Sequence, residues 1–115
     1  DGSLGFHVPE IDTSIRHNLP ITVVVGNNSL WGIDYWIQKG LYDRDVWTKL
    51  DQTNYELVAK GFGAEGKLVD NPSMLKDEIK NSLKSDKMTV LNTVVRKISS
   101  PVADAAVTRK LGTHG

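Results

Sequence analysis

At 115 residues, with 39% apolar and 24% charged side chains, the chain has the size and balance of one small globular domain. Its formal net charge is zero, which argues against a nucleic-acid-binding surface, and it has no Cys, which excludes disulfides and thiolate metal sites. No apolar run approaches a membrane span, and the opening stretch is acidic and Gly-rich, unlike a signal peptide. The expectation is a cytoplasmic protein with neither nucleic acid nor membrane as partner.

Taken in chain order, Val8, Ile11, Ile15 and Leu19 are spaced by three and four, which predicts one apolar helix face. Pro9 suits the first turn, Glu10 and Asp12 complement its positive end, and Asn18 and Pro20 end the helix. Residues 21–25 form a β-branched run ending at Gly26, apolar on both faces as in a buried parallel strand. Residues 29–50 are crowded with Trp31, Tyr35, Trp36, Tyr42 and Trp47, and are expected to be helical from Gly32 onward. That aromatic density predicts packing against another domain or a substrate. Asn54 opens the next helix, with Tyr55, Leu57, Val58 and Phe62 available for packing and Gly61 and Gly63 to stop it. Residues 66–69 read as a short strand. Asp70 or Asn71 caps a third helix that begins at Pro72 and carries Met74, Leu75, Ile79 and Leu83 on one face. Residues 88–95 are the last β-rich run, and residues 99–115 are a polar, Ala-rich tail with a short helix over 101–111.

Strands and helices thus alternate. Alternation of this kind predicts an α/β fold with a parallel sheet covered by helices on both faces. Ligands of such sheets bind at the carboxyl ends of the strands, which is where Asn27 and Asn28 fall.

The residues with the most chemistry are Asp1 and Asn28. An Asp carboxylate and an Asn amide oxygen are hard oxygen ligands of the kind Mg²⁺ takes beside phosphate oxygens. A turn Asp and an Asn that caps the segment after a strand would read the same way. The Gly2-Ser3 turn separates the two readings, because its backbone N–H groups, followed by a helix, make an anion-binding concavity. Anion site and cation ligands would then converge, as a Mg²⁺-bridged diphosphate requires.

Asp1-Gly2-Ser3-Leu4-Gly5-Phe6, continuing to Val24-Val25-Gly26-Asn27-Asn28-Ser29-Leu30-Trp31-Gly32, resembles the thiamine diphosphate motif. That motif opens with Gly-Asp-Gly and closes with Asn-Asn after a gap of the mid-twenties. The later elements, including Gly61-Phe62-Gly63-Ala64-Glu65-Gly66, also resemble the C-terminal, diphosphate-binding domain of acetolactate synthase-like and benzaldehyde lyase-like enzymes. The resemblance covers residues 1–97, leaving 98–115 as a tail, and an Asp1 inside the motif reads as the point where a longer protein has been cut.

The resemblance implies a Mg²⁺ site made by Asp1, the side chain of Asn28 and the backbone carbonyl of Leu30. It implies that Gly2 and Ser3 bind the diphosphate and that Trp31, Gly32 and Ile33 line the loop beside the cofactor. Glu10 is read as structural. The implied reaction is cleavage or formation of a C–C bond next to a carbonyl, on a small 2-oxo acid or 2-hydroxy ketone. The alternatives are a benzaldehyde lyase-like or other 2-hydroxyacyl lyase activity, or a catalytically inactive structural subunit. The resemblance places the acid that activates the cofactor in a separate pyrimidine-binding domain, so no catalytic residue is expected in this chain. It further implies a homodimer or homotetramer, and a middle domain that could hold FAD. Acetolactate synthases have Gly-Met after the Asn-Asn loop and a Trp four residues beyond that Met. Here Ile33 follows Gly32 and the Trp is displaced to Trp36, so the Leu30-Trp31-Gly32 stretch is closer to benzaldehyde lyase-like members.

Other motifs carry less. Gly61, Gly63 and Gly66 match G-x-G-x-x-G, but they follow a helix and precede a strand, the reverse of a dinucleotide fingerprint. Asn27-Asn28-Ser29 matches a glycosylation acceptor at what should be a buried strand end. His7, His17 and His114 show no ligand spacing: His17 is expected to help end a helix, His7 borders the Gly2-Ser3 turn, and His114 lies in the tail. The three Trp residues are expected to pack, with Trp31 the best placed to touch a ligand.

Overall fold

A computed structural model describes residues 1–112, so His114 lies outside the described residues. Nine elements follow in order: α1 (Gly2–Gly5), α2 (Glu10–Arg16), β1 (Thr22–Asn27), α3 (Gly32–Tyr42), α4 (Tyr55–Phe62), β2 (Glu65–Val69), α5 (Pro72–Ser82), β3 (Thr89–Val94) and α6 (Pro101–Gly112). The three strands form one parallel sheet in the order β1-β3-β2. The last strand in sequence is therefore central, and both of its sides are hydrogen-bonded. This explains why Val90, Leu91 and Asn92 are fully buried.

The two sheet faces are covered by different helices. On one, Val25 and Val90 pack with Ile11 of α2 and Tyr55 and Ala59 of α4, flanked by Leu4, Val8, Ile15 and Val23. On the other lies α5, whose Glu78 takes an ion pair from Lys67 of β2 at 2.6 Å. The predicted α/β layering is thus present. α4 lies hard against β2, and Gly66 makes the approach possible. A Cβ built on Gly66 would stand 2.0 Å from the main-chain oxygen of Glu56. α6 packs on α3 where Gly40 faces Val107, and a Cβ on Gly40 would be 2.6 Å from a Val107 methyl.

Several local expectations are refined. Asn71 rather than Asp70 caps α5, accepting a hydrogen bond from the Ser73 N–H at 3.0 Å. Gly63 alone ends α4, with φ +96°, while Gly61 sits inside the helix. The chain turns left-handed at Asn18, where the helix was expected to end, and α2 itself runs only from Glu10 to Arg16. β1 is not buried on both faces: Val24 is 46% exposed, since β1 is an edge strand while α5 packs on β2 and β3. Leu83, which caps the end of α5, and Leu57 on α4 are exposed rather than packed. The aromatic segment divides as well. Trp36 is half-buried on α3, whereas Trp47 is 93% exposed on the following loop.

Candidate functional site

The carboxyl end of β1 opens onto a cleft of about 450 Å³. Its walls come from two places far apart in sequence: the first turn of the chain and the loop that leaves β1. The cleft is lined by Asp1, Gly2, Ser3, Asn28, Leu30, Trp31, Gly32 and Ile33, together with Gly26, Asp34, Trp36, Ile98 and Ser100. Every cofactor or metal residue expected from the sequence therefore lies at one cleft.

The two walls are tied together through main-chain atoms. The Asp1 amino nitrogen donates to the Gly26 carbonyl at 3.0 Å, and the buried Tyr55 hydroxyl donates to the Asp1 carbonyl at 3.1 Å. Burial lowers the pKa of that amino group from its ordinary 8.0. Asp1 stands at the N-cap of α1, yet its side chain makes no capping bond. Its Oδ2 is buried with no hydrogen-bond partner. An orphaned carboxylate oxygen is costly inside a protein and is a natural place for a ligand or metal. Trp36 also lines the cleft, and its indole Nε1 is buried without a partner too. The Gly2-Ser3 turn is the start of the one-turn helix α1, whose first N–H groups have no partners within the helix. Trp31 covers it: a Cβ on Gly2 would meet the Trp31 ring at 3.0 Å, and Phe6 packs on the same ring with centroids 5.5 Å apart.

The loop after β1 is built from two consecutive Asx turns. The Asn27 Oδ1 accepts from the Ser29 N–H at 3.2 Å, and the Asn28 Oδ1 accepts from the Leu30 N–H at 3.1 Å. Between them Ser29 adopts φ +56°, a left-handed conformation that its own Cβ disfavours. A short antiparallel bridge steadies the far side, with the Trp31 N–H donating to Thr48 and the Leu50 N–H to Ser29. No backbone hydrogen bond reaches the Leu30 carbonyl among the described residues. The Asn28 carbonyl oxygen keeps a second lone pair while it holds the loop.

Among the described residues no group of three or more His, Cys, Asp and Glu side chains is placed to hold a metal. Of the residues expected to hold a metal, the cleft, which Asp34 lines as well, brings together Asp1, Asn28 and Leu30, which offer a carboxylate, an amide oxygen and a main-chain carbonyl. That is a weak set alone and a suitable one for Mg²⁺ whose remaining ligands are phosphate oxygens.

The family model described as "Thiamine pyrophosphate enzyme, C-terminal TPP binding domain" matches residues 1–93. This chain belongs to that family. Its relatives bear several activity names. The chain is 34% identical over 93 residues to a probable acetolactate synthase of Mycobacterium bovis, covering 80% of this chain and 17% of that protein. It is 36% identical over 102 residues to 2-hydroxyacyl-CoA lyase 2 of Danio rerio, covering 84% and 16%. It is 31% identical over 115 residues to sulfoacetaldehyde acetyltransferase of Castellaniella defragrans, covering 95% and 19%. The chain thus spans under a fifth of the length of these relatives. The match to the thiamine pyrophosphate family makes the cleft at the end of β1 its candidate cofactor site. No helix among the described residues is long and apolar enough to cross a membrane.

Sequence reading missed Glu56, Asn92 and the Thr53 carbonyl, which form a buried polar cluster under Asn27. Asn92 did carry a signal, since it is a carboxamide in the middle of an otherwise apolar and β-branched run. His7 is exposed and does not line the cleft, and His17 caps the end of α2. Gly61, Gly63 and Gly66 form a helix end and a close helix–strand contact. Asn27 is fully buried, out of reach of glycosylation.

Proposed function

We propose that this chain anchors the diphosphate of thiamine diphosphate through Mg²⁺, in an enzyme that cleaves or forms a C–C bond next to a carbonyl. The observation that carries this reading is the buried, unpartnered Oδ2 of Asp1, a residue that lines the same cleft as Asn28 and Leu30. Asp1, the Asn28 Oδ1 and the Leu30 carbonyl would hold the metal. Gly2 and Ser3 would donate to phosphate oxygens from their N–H groups and the Ser hydroxyl. Trp31, Gly32 and Ile33 would line the cofactor's flank. When bound, thiamine diphosphate supplies the nucleophilic carbon and the electron sink that such chemistry needs. This chain's residues bind and orient; the acid that activates the cofactor would come from a pyrimidine-binding domain, with active sites between subunits of a dimer or tetramer.

The relatives are named as an acetolactate synthase, a 2-hydroxyacyl-CoA lyase and a sulfoacetaldehyde acetyltransferase, and the substrate class proposed here is a small 2-oxo acid or a 2-hydroxy ketone or 2-hydroxyacyl compound. The Leu30-Trp31-Gly32 loop and the similarity to 2-hydroxyacyl-CoA lyases favour a lyase as the second reading beside an acetolactate synthase-like one. Titrating thiamine diphosphate into the full-length protein, with and without Mg²⁺, tests the proposal. Binding should require the metal and be lost in Asn28→Ala. Metal-independent binding, or none, would refute it.

A further inference from the structure

We infer that Glu56 is a positioning residue for the metal-ligand loop: through a buried relay, Glu56–Asn92–Asn27, its carboxylate sets which way the amide of Asn27 faces. The inference rests on the proposed metal role of Asn28 and Leu30. Asn27 and Asn92 are 0% exposed and Glu56 is 7% exposed. The Asn92 Nδ2 donates to the Glu56 Oε2 at 2.7 Å, the Asn27 Nδ2 donates to the Asn92 Oδ1 at 3.1 Å, and the Asn27 Oδ1 accepts from the Ser29 N–H at 3.2 Å.

The direction of this chain of bonds is its important property. A carboxamide has a donating end and an accepting end of nearly the same shape, and its surroundings decide which way it faces. A carboxylate only accepts. With Glu56 at one end, Asn92 must present its NH₂ group to it. The carbonyl end of Asn92 then faces Asn27, which must present its own NH₂ group in turn. That leaves the Asn27 carbonyl oxygen facing Ser29, where it holds a residue at φ +56°. The Thr53 carbonyl, also an acceptor only, takes a bond from each amide at 3.0 and 3.2 Å and acts in the same sense. A reversed Asn27 would put its NH₂ group against the Ser29 N–H, two donors facing each other. The turn that carries Asn28 and Leu30 would then lose its support. Glu56 reaches this position because Gly66 lets α4 lie directly on β2.

The relay can be reversed in chemistry while keeping its sense. Asn92→Asp places an acceptor-only group opposite Glu56 and Thr53, so the two carboxylates repel and the side chain at 92 is driven off Asn27, which loses the acceptor that orients it. Adding Glu56→Gln then supplies a donor at the far end, and Asn27 again donates to the middle position. The expected result is non-additive. In the full-length protein, Asn92→Asp should weaken Mg²⁺-dependent thiamine diphosphate binding by about 10–100-fold, the range for groups that orient metal ligands. The pair Asn92→Asp/Glu56→Gln should recover most of that loss, and Glu56→Gln alone should weaken binding less than Asn92→Asp does. Hydrogen exchange at the Ser29 amide in the cofactor-free protein gives a readout independent of the ligand. It should speed up in Asn92→Asp and slow again in the pair. If Asn92→Asp does not fold, the pair must fold and bind for the inference to stand. Unchanged Ser29 exchange in Asn92→Asp, or a pair no better than that single variant, would overturn it. A wild-type protein that binds no thiamine diphosphate would refute the proposed function, while the Ser29 comparison would still decide the relay.

Discussion

Replacing Asp1 by Ala should move stability and ligand affinity in opposite directions. In the cofactor-free protein the Oδ2 of Asp1 is buried and unpartnered, and the side chain caps nothing. A buried polar atom without a partner costs about 1–3 kcal/mol. Asp1 as a whole is only half-buried, so the lower part of that range applies, and Asp1→Ala should stabilise the cofactor-free protein by about 1 kcal/mol. The same change removes the only carboxylate proposed for the metal. Wild-type protein holding Mg²⁺ and thiamine diphosphate at a hundred times their apparent Kd gains about 2.7 kcal/mol from binding alone. The variant should gain almost none. The two unfolding curves should therefore exchange order: variant above wild type without ligand, wild type above variant with it. Urea denaturation of the full-length protein, with and without Mg²⁺ and cofactor, reads all four states. If Asp1→Ala destabilises the cofactor-free protein by about 1 kcal/mol or more, the carboxylate serves the fold and the argument from its unpartnered oxygen fails.

A further outcome follows from the packing. Gly66→Ala should cost about 3 kcal/mol, the top of the usual overpacking range, because the new methyl would meet the Glu56 main-chain oxygen at 2.0 Å and a main-chain atom cannot swing aside. A loss below about 1 kcal/mol in chemical denaturation would show that α4 does not lie on β2 as described.

Much of the fold was legible because its signals are local. The β-branched run before Gly26, the Asn71-Pro72 helix start and the stop at Gly63 depend on backbone preferences that each residue carries with it. The meeting of Asp1 and Asn28 was legible for a related reason. Two helices and one strand, α1, α2 and β1, bring Asp1 and Asn28 to one cleft, and the length of that run is written in the chain. The aromatic segment was not legible in the same way. Trp31, Trp36 and Trp47 are the same residue type within one short stretch, yet one covers Gly2, one lies half-buried at the cleft with its Nε1 unpartnered, and one is exposed. Neither composition nor spacing separates them, because their burial depends on which neighbours arrive from elsewhere.

The sequence by itself determined the alternation of strands and helices, the two halves of the diphosphate motif and the residue types offered to a metal. These follow from periodicity, turn chemistry and donor chemistry, all properties of short stretches. The tertiary structure alone decided the strand order β1-β3-β2, which buries Asn92 beside Asn27. It also decided the approach of α4 that sets Glu56 beneath both, and the burial that leaves the Asp1 Oδ2 without a partner. Glu56 and Asn27 are far apart in sequence, and only the pairing of β1 and the packing of α4 against the last strand bring them into one hydrogen-bonded chain.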